Sequence, residues 1–85
     1  MTYTNKPETI AKFKAMNPTL LMQINAYQLY EHPTRGDEAP IMMLTPDDVL
    51  VSTGFWDLGD FDLDLCHELD PMFKHYTPYA HSNDL

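Results

Sequence analysis

The sequence predicts an α+β domain: a short N-terminal helix packed on a small antiparallel sheet of three or four strands, with an acidic C-terminal half. Three observations carry this. Ile10, Phe13 and Met16 recur at the spacing of one helix face, with Lys12 and Lys14 outside it. Later segments instead alternate apolar and polar residues, or are rich in β-branched and aromatic types. Between them fall His32-Pro33, Arg35-Gly36-Asp37 and Thr45-Pro46-Asp47-Asp48, the composition of turns.

Residues 1–6 are polar and are expected to fray. Pro7 and Glu8 open the helix, with Thr4 or Asn5 as candidate caps, and Pro18 limits it. Residues 19–26 fit either helix or strand. Asn17-Pro18 can start a helix, yet Met22, Ile24 and Ala26 alternate with Gln23, Asn25 and Tyr27. From Ala26 onwards the aromatic-rich run to Tyr30 favours a strand. His32-Pro33 ends it, because the residue before proline leaves ordinary pairing. Thr34 to Ala39 is a polar loop, and its Arg-Gly-Asp tripeptide is a turn with Gly36 supplying positive φ. Pro40 to Leu44 is a short apolar strand. Thr45-Pro46-Asp47-Asp48 suits a type I turn, and Val49, Val51 and Thr53 favour a second strand, so 40–54 is expected to be a hairpin ended by Gly54.

The acidic stretch Phe55 to Asp70 follows. It holds Asp57, Asp60, Asp62, Asp64, Glu68 and Asp70, and no Lys or Arg. Acid and apolar residues alternate strictly from Asp60 to Leu65, which predicts a two-faced strand. Phe61, Leu63 and Leu65 would face the core; Asp60, Asp62 and Asp64 would face outward at intervals of about 6.6–6.8 Å. Asp70-Pro71 starts a last helical turn through Tyr76, Thr77-Pro78 stops it, and Tyr79 to Leu85 is expected to form a polar tail, frayed over 80–85.

Eighty-five residues form one domain, 1–85, that buries only about 60–65% of its unfolded surface, so a partner or a second copy could add stability. A hydrophobic fraction of 44%, with five Tyr, four Phe and one Trp, argues against disorder. The charge is uneven. Residues 1–35 hold four basic residues against two acidic, a net of +2; residues 36–85 hold eleven acids against Lys74, a net of −10. Such a field repels nucleic acid and anionic membrane and attracts basic protein surfaces. The single cysteine, Cys66, forms no internal disulfide, and no basic, apolar leader or long apolar run is present, so a reducing cytoplasm is expected.

Specific chemistries fit poorly. Asp60-x-Asp62-x-Asp64 matches the start of a calcium loop, but Leu65 stands where glycine is needed and Pro71 where glutamate is needed. Cys66, His67, His75 and His81 match no usual zinc spacing. Aligned carboxylates on an exposed strand lack the cleft and the tuned acid that glycoside hydrolysis requires. No enzyme, metal site or cofactor is therefore expected.

Electrostatics remains. Alternate strand positions are spaced like two nucleotide rises, so the acids could resemble a run of phosphates. The expected partner surface is Asp57, Asp60, Asp62, Asp64, Glu68 and Asp70, with Trp56 as the apolar anchor. In length, charge and charge placement the chain is similar in kind to small acidic proteins of phages and mobile elements that block restriction or CRISPR complexes, some by imitating nucleic acid. That resemblance covers no motif and transfers no residue. It implies a non-enzymatic inhibitor on a basic, nucleic-acid-binding surface of a larger protein. The alternative is a small regulatory or structural subunit that acts through a homodimer or an aromatic interface, its acids serving solubility.

Overall fold

Thr2–Thr4 (β1), Leu20–Ile24 (β2), Tyr27–Tyr30 (β3), Met42–Leu44 (β4) and Leu50–Ser52 (β5) form one antiparallel sheet in the order β1-β5-β4-β3-β2. Among the described residues three α-helices accompany it: Pro7–Ala15 (α1), Leu63–Leu69 (α2) and Pro71–Tyr76 (α3). These positions come from a computed structural model that describes residues 2–76, with side chains through 73. The expected tail at 80–85 lies outside the described residues. Among those described, no helix is long and apolar enough to cross a membrane.

The class is α+β as expected, but the sheet has five strands rather than three or four. One addition is β1. Residues 2–4 were expected to fray, yet Thr2, Tyr3 and Thr4 pair with Ser52, Val51 and Leu50. These are strong β-formers, and β5 would otherwise present an open edge. The other addition comes from residues 20–30, which form a hairpin. Asn25, at φ +53°, turns the chain between β2 and β3. Asparagine tolerates that left-handed conformation better than most residues.

Helix α1 begins as its proline predicts, with Pro7 in the first turn. Its cap position is Lys6, and Thr4 Oγ1 accepts the Lys6 N–H at 3.2 Å. Glu8 in the first turn and Lys12 and Lys14 in the last complement the helix dipole. β1 and β2 run parallel at opposite edges, so α1 carries the chain across one face of the sheet. On that face Ile10 and Phe13 pack with Leu44 and Leu50. Phe13 meets Tyr30 edge-to-face at 5.2 Å.

The 40–54 hairpin is present. Thr45 closes its turn: its backbone N–H donates to the Val49 carbonyl at 2.9 Å and its Oγ1 accepts the Val49 N–H at 3.1 Å. Beyond the strands, Ile41 N–H donates to the Phe55 carbonyl at 2.9 Å, and Thr53 Oγ1 donates to the Ile41 carbonyl at 2.8 Å. These bonds return the chain to the second face of the sheet. There Leu29, Met43 and Val51 stand side by side in register on β3, β4 and β5, fully buried. Phe61, Cys66 and Leu69 cover them.

The strand expected over Asp60–Leu65 does not form. Leu58–Asp60 is a single 3-10 turn, and α2 begins at Leu63. Two side-chain hydrogen bonds decide this. Asp57 accepts the Gly59 N–H at 2.9 Å, and Asp62 accepts the Leu65 N–H at 2.8 Å. A short carboxylate that captures the N–H two or three residues on caps a helical turn, and it competes directly with strand pairing. The buried set then follows a helical spacing, with Cys66 and Leu69 three apart.

Candidate partner-binding surface

The six acids expected to bind a partner divide into three groups. Asp57 and Asp62 are exposed, and each fixes a backbone N–H at the start of a helical turn. Asp60, Asp64 and Glu68 are exposed and make no side-chain hydrogen bond or ion pair among the described residues. Asp70 is different in kind, because it is buried. Its Oδ2 accepts the Tyr27 hydroxyl at 2.7 Å, and its Oδ1 accepts the N–H groups of Met72 and Phe73 at 2.9 and 3.2 Å. It is a cap and a staple between α3 and β3, not a docking residue.

That staple shapes its surroundings. Burial, then the bond to Asp70, pushes the Tyr27 hydroxyl well above its ordinary pKa. Burial also pushes the Cys66 thiol up, reinforced by Asp62 and Asp70. A fully buried thiol held protonated is a poor nucleophile. The His67 ring stacks on Phe73 at 3.9 Å and meets Tyr27 at 5.7 Å, so it is packed as an aromatic beside Cys66 rather than poised as its base. Among the described residues no group of three His, Cys, Asp or Glu side chains stands close enough to hold a metal ion.

Trp56, the expected anchor, is 59% exposed. It walls a cleft of about 360 Å³ between the 56–58 segment, the 31–39 loop and β2. Leu21, Ala39, Ile41 and Leu58 give the cleft its apolar surface. Leu21 lies where the β2 register shifts between Leu20 and Met22, a bulge of the kind that re-aims a side chain. Glu31, Asp37 and Asp57 are its acidic lining residues, the Asp57 carboxylate also accepting the Gly59 N–H, and no Lys, Arg or His lines it beside them. Glu31 and Asp37 were not among the residues expected from sequence. The signal for Asp37 was the polar loop, whose Arg35-Gly36-Asp37 turn sets Gly36 at φ +59°; Glu31 lies just ahead of that loop, at the end of β3.

No family model, curated protein or solved structure matches this chain. Its function is therefore argued from its own surface. The described residues bring Trp56 and Asp57 together at the cleft, keep Asp60, Asp62, Asp64 and Glu68 exposed beyond them, and withdraw Asp70 into the core.

Proposed function

We propose that this protein is a non-enzymatic acidic binding protein that occupies a basic surface of a larger protein, of the kind that holds nucleic acid. The regular, phosphate-like strand spacing expected from sequence is not the carrier, since that strand is replaced by a 3-10 turn and α2. The supporting observation is the placement of Asp64 and Glu68. They stand four apart on α2, where like charges repel by about 0.2–0.5 kcal/mol. Glu68 also lies towards the C-terminal end of α2, where the dipole disfavours an anion. Asp64, in the first turn, complements the dipole, but Glu68 gains nothing from the helix, and among the described residues Asp60, Asp64 and Glu68 have no side-chain partner. Their use is external: they speed and orient encounter with a basic surface, while exposed Trp56 supplies apolar contact.

The test is the triple variant Asp60→Asn, Asp64→Asn, Glu68→Gln, which spares the three capping aspartates, Asp57, Asp62 and Asp70. It should fold like the parent and lose most capture of basic nucleic-acid-binding proteins at low salt, the parent losing the same capture as salt rises. Unchanged capture by the triple variant would refute the proposal.

A second reading is a subunit that associates through the open edge of β2. Leu20 on that edge and Met16 before it are both about half exposed. Association of that kind would be insensitive to salt and would fall on Leu20→Ser rather than on the acid variants.

A further inference from the structure

We infer that the Trp56 cleft receives an arginine side chain of a partner protein. The cleft's volume falls within the range of small-ligand sites, about 300–1,000 Å³. Its lining joins two chemistries that few side chains satisfy together. Leu21, Ala39, Ile41 and Leu58 suit an aliphatic stem, and Glu31, Asp37 and Asp57 suit a cationic head. A purely apolar occupant would desolvate those carboxylates without compensation.

Among the described residues nothing answers this charge. Among the described residues Lys14–Asp48 is the one ion pair, and it is formed by residues that do not line this cleft. Arg35 sits in the adjoining loop, yet its guanidinium donates to the Glu38 carbonyl at 3.2 Å and does not line the cleft. Trp56 decides between the two cationic side chains. A planar, weakly hydrated guanidinium stacks on an indole face and forks onto carboxylates, whereas an ammonium is a compact, strongly hydrated point charge. Assigning that arginine to a basic partner surface rests on the function proposed above. The affinity of the cleft for a guanidinium does not.

Trp56 is the single tryptophan, so its fluorescence reads this cleft directly. The full chain is titrated at low salt with N-acetyl-arginine amide, N-acetyl-lysine amide and N-acetyl-norleucine amide, and the Leu21 and Ile41 methyl signals are followed by NMR. The arginine amide should give a saturable change with Kd on the order of 1 mM, the lysine amide should bind several-fold more weakly, and the norleucine amide should give no saturable change. Replacing Glu31→Gln and Asp37→Asn together should weaken the arginine amide by roughly five- to tenfold, with the methyl spectrum otherwise retained. No saturable change with the arginine amide, equal binding of either other amide, or full binding by the double variant overturns the assignment. The two readings fail separately. Arginine-amide binding that persists in the 60/64/68 variant after its capture is lost upholds the cleft by itself. Absence of amide binding with capture intact removes the cleft and leaves the proposed function standing.

Discussion

The two faces of the sheet are built to different standards. The α1 face buries four residues, Ile10, Phe13, Leu44 and Leu50, with Tyr30 and Met42 half-covered beside them. Among the described residues the opposite face buries nine, including the in-register row of Leu29, Met43 and Val51, and adds the buried Tyr27–Asp70 hydrogen bond. Charge pairing differs too: on the α1 side Lys14 pairs with Asp48, whereas among the described residues no acid from Asp57 to Glu68 has an ion-pair partner. Lys12 and Lys14 ride on α1, while the acids from Asp57 to Glu68 surround α2. The more deeply buried layer thus underlies the segment that carries unpaired negative charge. In a domain of this size, where every few kcal/mol counts, self-repulsion is placed on the element best able to bear it.

Core truncation should give the largest contrast. Leu29→Ala should fall at the upper end of the usual cost of about 2–5 kcal/mol and Leu44→Ala at the lower end, read by urea denaturation. Equal losses would mean that the faces are energetically alike.

The staple comes next. Asp70→Ala leaves the Tyr27 hydroxyl unsatisfied and uncaps α3, and should cost about 2–4 kcal/mol. Tyr27→Phe should cost less, about 1–2 kcal/mol, and should also alter the alkaline limb of stability. The native Tyr27 hydroxyl holds its proton more tightly than an unfolded tyrosine, whose pKa is near 10.0. Its contribution is fully present below that value and is lost as pH rises beyond it towards the raised native pKa. A thermal-melt series from pH 8 to 11 should show a shallower fall for Tyr27→Phe than for the parent.

The smallest effects separate acids that hold the fold from acids that do not. Asp62→Ala should destabilise by about 1 kcal/mol and Asp62→Ser should recover most of it, since serine caps as well. Glu68→Gln should be neutral or stabilising by about 0.2–0.5 kcal/mol. A loss at Glu68 as large as that at Asp62 would show that the outer acids also serve folding.

Local chemistry was legible in the sequence where one residue type dictates it. Pro7 marked the start of α1, Thr45-Pro46 the hairpin turn, and Asp70-Pro71 the start of α3. What escaped depended on a distant partner or on a contest between two local signals. Nothing near Tyr3 announces that it pairs with Val51, because that decision belongs to the open edge of β5. The run from Asp60 to Leu65 satisfies the strand period of two, but Leu65 to Leu69 and Cys66 to Leu69 also satisfy helix spacing. Asp62 breaks the tie by capturing a backbone N–H, an act that hydrophobic periodicity does not record. The cleft escaped for the first reason: Trp56 is far in sequence from the loop that carries Glu31 and Asp37, and the two meet only in the folded chain.

The pairing of β1 with β5 also sets an order of events. During synthesis residues 2–4 emerge well before their hydrogen-bonding partners, residues 50–52, which follow only after α1 and three further strands. The meander from β2 to β5 can zip through neighbouring hairpins, whereas β1 must wait with its backbone donors and acceptors in water. β1 is thus made before the rest of its sheet and seated after it, and for as long as it waits β5 is an open edge that a neighbouring nascent chain could occupy.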